Sequence, residues 1–143
     1  MAGRGTLTPY GHWLLLGSTF APDVIPPLDD AWLALTTAPA MIGDDGAHLV
    51  EPADLAYARM ALPMTSLSWT ASGYAAITNA VDVVFPVPTL GWGQLRGWAL
   101  VTEPGQGALI AIGELIGGYA PNPGDTVTVS AAALRIELSG SIT

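Results

Sequence analysis

Through much of the second half of this chain apolar residues recur at every second position, a pattern that predicts strands. In residues 133–138, Leu134, Ile136 and Leu138 alternate with Arg135 and Glu137, the spacing of a strand with one buried and one wetted face. The runs QLRGWALVT (Gln94–Thr102) and ALIAIGELI (Ala108–Ile116) flank EPGQG at 103–107. Glycines there can adopt positive φ, so these two runs predict a hairpin. Thr126–Ser130 adds a short strand before the last one. Upstream, Ala31–Thr37, Arg59–Leu62, Ser66–Thr70, Tyr74–Asn79 and Val81–Phe85 read as further strands, divided by Pro63, by Ser72 with Gly73, and by Pro86 with Pro88. About eight short strands, with Gly or Pro at nearly every connection, predict an all-β chain folded as an antiparallel β-sandwich.

The N-terminal part follows a different pattern. Tyr10–Phe20 predicts a short helix with Trp13, Leu14 and Leu16 turned inward and Gly17 as its C-terminal cap, although Gly11 weakens it. Residues 1–9 show no period and carry Gly3, Gly5 and Pro9. They predict an arm that orders on a neighbour, outside a single sandwich domain of residues 10–143. The segment APDVIPPLDD (21–30), with three prolines and three aspartates, predicts an extended linker. Residues 41–58 form a polar excursion with an Asp-Asp-Gly turn, and Pro52–Ala56 could supply one helical turn.

Composition narrows the function. Half of the 143 residues are hydrophobic and 11% are charged, well below the roughly 25% of an ordinary domain. No apolar run approaches the roughly 20 residues of a membrane span, and WLLLG at 13–17 is too short for an export signal. The net charge is −8, lysine is absent, and the permanent cations are Arg4, Arg59, Arg96 and Arg135. So few cations argue against binding nucleic acid, which requires a cluster of phosphate-neutralising side chains. With no cysteine, neither a disulfide nor a thiolate metal site can support the fold. A surface so poor in charge is best explained by cover from neighbouring protein.

Candidate chemistry is sparse. His48 with Asp44, Asp45, Glu51 and Asp54 could be drawn as a metal site, calcium being the best-matched ion, but the residues lack ligand spacing and read better as a solvated acidic loop. No GxSxG elbow accompanies His12 or His48, the paired acids at 29–30 and 44–45 sit in turns, and the glycines at 105, 107, 117 and 118 lack phosphate-loop spacing. The chain therefore reads as a non-enzyme needing no metal or cofactor. Five tryptophans, Trp13, Trp32, Trp69, Trp92 and Trp98, fit core or interface positions, with sugar stacking as an alternative. Trp98 and Trp32 lie within strand patterns. Trp92, between Gly91 and Gly93, is the best placed of the five to meet a partner, and Trp13, Trp92 and Tyr119 form the candidate interface set.

In order along the chain, residues 75–102 (AAITNAVDVVFPVPTLGWGQLRGWALVT), ALIAIGELI and PNPGDTVTVSAAALRIEL resemble a family of small tailed-bacteriophage virion proteins, labelled tail fibre-like or minor structural. The similar pieces are Ala80–Phe85, Thr89–Leu95, Trp98–Ile112 and Gly124–Leu138. AWLALTTAPA (31–40) is similar to the family's LYVALFTAAPT, and DLAYARMAL (54–62) to its GGYARQAV. The DDGAHLVEPAD loop and the hairpin tip TEPGQGAL depart from the family pattern. The resemblance implies a structural role in the virion. A capsid decoration or cement protein, a homotrimer or other homo-oligomer bound to the major capsid protein, is the first expectation. A minor tail or fibre subunit bound to tail proteins is the second, and a carbohydrate-binding module the third.

Overall fold

The computed structural model describes residues 1–41, 43–65, 69–71 and 76–137. Among them the chain forms β1 (Ala2–Leu7), α1 (Pro9–Phe20), β2 (Asp30–Thr36), β3 (Met60–Pro63), β4 (Trp69–Ala71) and β5 (Ala76–Asn79). It continues with β6 (Val83–Val84), β7 (Leu95–Val101), β8 (Leu109–Tyr119), β9 (Thr128–Val129) and β10 (Leu134–Glu137). The mostly β expectation holds. Eight strands make one curled sheet in the order β3-β2-β7-β8-β1-β10-β5-β4, and β6 pairs with β9 in a separate ribbon. The predicted residues 66–68, 74–75 and 138 lie outside the described residues.

Alternation along β2 and β7 sorts side chains to the two faces of the sheet. Leu33 pairs with Leu100 and Leu35 with Trp98, and all four enter the main core. Trp32 opposite Val101 and Ala34 opposite Ala99 face the other way; there Ala99, Val101 and Leu109 form a smaller cluster with Trp32, Leu49 and Ile112. The ribbon covers the main core, to which Val83, Phe85, Val127 and Val129 contribute buried side chains. The predicted hairpin is present, with Leu95–Val101 antiparallel to Leu109–Tyr119 and Gly107 at φ +87° in its loop.

Two expectations are corrected by β1. Residues 2–7 are not an arm: β1 lies inside the sheet, antiparallel to β8 and parallel to β10. The sheet is consequently mixed, not antiparallel throughout. The cause is steric. Trp98 is fully buried, and its indole lies over the backbone of Gly3, Gly5 and Gly113. A Cβ added at these positions would stand 2.7, 2.5 and 2.5 Å from ring atoms of Trp98. Gly3 and Gly5 are therefore the inward positions of a period-two strand whose inward side chains must be absent. On the other face of β1, Arg4 donates to Glu137 on β10 at 2.8 Å, and Arg135 donates to the same oxygen at 2.7 Å.

The helix matches its predicted span but not its predicted faces. The Thr8 hydroxyl accepts from the Gly11 N–H at 3.0 Å and itself donates to the Leu109 carbonyl, joining the helix start to β8. Gly11 lies on the sheet, where a Cβ would fall 2.0 Å from the Ile110 carbonyl oxygen. Leu14 is buried, whereas Trp13 and Leu16, expected inside, are 53% and 57% exposed. Gly17 does not cap the helix, which runs on to Phe20. A Cβ at Gly17 would meet Ile25 of the returning linker. Pro52–Ala56 is not helical; the only hydrogen-bonded turn there among the described residues is Asp54–Tyr57, closed by the Tyr57 N–H on the Asp54 carbonyl at 3.0 Å.

Trp98→Ala should lower unfolding stability by about 3–5 kcal/mol in urea titration, because the glycine backbone beneath the ring cannot collapse into the space and a cavity remains. A loss under about 1 kcal/mol would place the ring outside the core. Deleting residues 1–7 removes an interior strand and should abolish soluble folded protein, as checked by expression and circular dichroism.

Candidate assembly surface

The acidic loop is solvated as expected at its tip, but at Glu51 and Asp54 it is an internal tie. Asp54 is 6% exposed, and its carboxylate accepts five hydrogen bonds. They come from the Thr89 hydroxyl (2.6 Å), the Thr89 and Leu90 N–H groups (2.7 and 3.1 Å), the Trp92 indole (2.9 Å) and the Ala56 N–H (3.0 Å). The Thr89 hydroxyl bond leads the effects that hold this carboxyl well below the usual aspartate range. Glu51 forms a two-point pair with Arg59, Oε1 to Nε and Oε2 to NH2, each 2.9 Å, and also accepts from Tyr57. Burial, followed by the Glu51 charge, pushes the Tyr57 phenol up. Arg59 then reaches the carbonyls of Gly46, Glu103, Gly105 and Gln106, fastening the 41–58 loop to the hairpin tip. At the loop tip Asp45 and His48 pair at 2.6 Å in solvent, and that bond lowers the Asp45 carboxyl.

Of the tryptophans, Trp98 and Trp32 lie in strands as expected, and Trp92 is corrected. Trp92, expected at a partner surface, is 3% exposed and stands edge-on to Tyr57 with ring centroids 5.4 Å apart. Its ring is closed off by this chain and offers no platform for stacking a sugar. Tyr119 is half-buried against the core, with its hydroxyl 3.5 Å from Asp125. Of the three candidate interface residues, Trp13 alone presents an open aromatic surface.

Trp13 belongs to an apolar stripe missed in the sequence. At about 100° per residue, Trp13, Leu16 and Phe20 fall within about 60° of one another on α1, opposite Gly11 and Leu14. Phe20 is 82% exposed, and Val24, four residues on, is 79% exposed. Residues 5–22 hold no Asp, Glu, Lys or Arg. The helix is therefore apolar on two opposite faces, one on the sheet and one open, with His12, Ser18 and Thr19 between them. On its inner side an apolar groove of about 520 Å³ separates α1 from the sheet, lined by Leu14, Leu15, Trp69, Ile77, Ile110 and Ile136 among others. Equal spacing for both faces was already present in the sequence, and the missing signal was which face Gly11 would bring onto β8.

Residues 7–137 match the family of the Podophage GP4 fiber I protein gp80. The chain belongs to that family. It is a structural protein of the tailed-phage virion, as the resemblance implied, and its surroundings are other virion proteins. No curated protein matches the chain in sequence. The match to the gp80 family takes in α1, every strand after it and both internal ties.

Because the Asp54 carboxyl is depressed on folding, its contribution to stability is complete above the unfolded aspartate value near about 4 and is lost as pH falls below it. Glu137, held at about 2 by its bonds to Arg4 and then Arg135, acts with the same sign between the ordinary glutamate range and about 2. Acid unfolding followed by tryptophan fluorescence should therefore begin below about pH 4. Asp54→Asn should lower stability at neutral pH and flatten this acid limb; an unchanged limb would exclude Asp54 as its source.

Proposed function

We propose that this gp80-family chain is a non-enzymatic subunit of a phage fibre, built into the particle through protein-to-protein contacts. The observation that carries the reading is the match of residues 7–137 to a fibre protein. The disposition of the acids supports it. Asp54 and Glu51, the buried or half-buried carboxylates of the loop that most resembled a chemical site, have their oxygens occupied in holding neighbouring loops. An open apolar helix face on a chain of low charge suits a subunit whose surroundings are protein.

A shell-decorating position on the capsid would draw on the same apolar surfaces, and the fibre description of the family favours the tail. Immunogold labelling of intact particles with antibody to this chain separates the two. Gold along the fibres is the expected result. Gold spread over the head would overturn the fibre assignment in favour of decoration, and loss of a small-molecule substrate in the presence of purified chain would overturn the non-enzymatic part.

A further inference from the structure

We infer that the slot between β8 and β10 is a peptide-binding site, which β1 fills as an exchangeable occupant and which accepts an extended segment of a neighbouring protein patterned glycine, cation, glycine. The inference goes beyond the fibre assignment and holds wherever in the particle the chain sits.

The slot has two walls of backbone. Residues 2–7 pair with 111–116 of β8 on one side, and residues 3–6 pair with 134–137 of β10 on the other. An extended segment laid between these walls gains ladder hydrogen bonds on both edges, and its side chains decide whether it fits. On the inner side the floor is the Trp98 ring, which excludes a Cβ at Gly3 and at Gly5. Two residues further on, Leu7 packs against the main core. On the outer side the central residue, Arg4, stands opposite Glu114 of β8 in the register and donates to Glu137 of β10 at 2.8 Å. Glu114 and Glu137 outnumber Arg135, which lies beside Arg4 on β10, so the position between the two glycines calls for a cation.

Three observations mark β1 as a filling and not as part of the wall. The contact that holds it, an indole on bare backbone, is one that any strand of the same glycine pattern makes equally. Next, β1 leaves a need of the slot unmet. Trp98 is fully buried, its indole N–H has no hydrogen-bond partner, and that nitrogen is the atom closest to a Cβ placed on Gly3. A buried donor without an acceptor is a cost, so the chain's own strand completes the slot imperfectly. Last, the family match begins at Leu7. It takes in both walls, β8 and β10, and leaves residues 1–6 outside.

The test uses the full chain and a biotinylated synthetic peptide of residues 1–8, MAGRGTLT. Gly5→Val bars the chain's own strand from the slot. The full chain with this substitution should take up the peptide saturably, and uptake should restore the cooperative melt of the unmodified protein. A peptide with Gly3→Val and Gly5→Val should bind about tenfold more weakly or worse, because both added side chains meet the Trp98 ring. A peptide with Arg4→Glu should also lose affinity. In the unmodified chain, amide hydrogen exchange should show residues 2–7 opening together with the amides that face them in 111–116 and 134–137, ahead of β2 and the β2-facing edge of β7. Equal binding of the glycine and valine peptides, a folded Gly5→Val chain that ignores the peptide, or an unfolded one that the peptide does not rescue would each overturn the inference. So would exchange in β1 no earlier than in β2. Particle labelling reads location and not strand exchange, so the fibre assignment can fail without touching this result.

Discussion

The fold depends on a flat contact between the Trp98 indole and the glycine backbone of β1 and β8. Gly3, Gly5 and Gly113 carry no side chain, so the ring can lie on the strands themselves, and Leu134 stands beside Gly3 to close the site. The indole N–H has no hydrogen-bond partner. Leaving it unpaired costs about 1–3 kcal/mol, whereas burying roughly 200 Å² of tryptophan at about 25 cal/mol/Å² contributes about 5 kcal/mol. Burial wins, and the consequence is topological. The N-terminal strand must enter the sheet next to β8, which leaves its other edge to β10 in the parallel sense. Both ends of the described chain are thereby held in adjacent strands.

Around this centre the long connections are kept in place by polar groups turned inward. Arg59 is 7% exposed and replaces water with one carboxylate and four carbonyls, so its charge is compensated in a low-dielectric setting. Asp54 performs the complementary task on the opposite sign, collecting N–H and O–H donors from the segment that leads into β7. One cation and one anion thus order loops that have few apolar residues of their own. A chain with little charge has placed part of it inside.

Much of the sheet was legible because alternation is a local signal. Leu134 and Ile136, or Leu33 and Leu35, announce a buried face without reference to anything distant. β1 was illegible for the opposite reason: its inward residues are glycines, which are silent in a hydrophobic pattern and become informative only when Trp98, more than ninety residues away in sequence, is set against them. Trp92 misled for a related reason. Its glycine neighbours suggested a partner-facing position, while the acceptor that buries its N–H, Asp54, sits in a loop that reads as solvated. Pairing across such distances leaves no trace in spacing, so Glu51 and Asp54 looked like surface and proved to be ties. On α1 the two apolar faces were both visible, and only the close approach of Gly11 to Ile110 decides which one is inside.

The distribution of charge also explains why an apolar helix face can remain open on a folded subunit. Arg59 is consumed internally by Glu51, Arg4 and Arg135 flank Glu137, and with the exposed Arg96 these four cations still leave the chain at −8. The resulting negative field keeps copies apart over most approaches, with a reach of about 8 Å at physiological salt. Short-range apolar contact can prevail where acids are missing, and residues 5–22 supply such a place. A subunit built this way resists indiscriminate aggregation while leaving one face available to a neighbour in the virion. Low charge and strong acidity, which look contradictory as bulk properties, are compatible once the neutral residues are gathered on a helix and the acids are left to the rest.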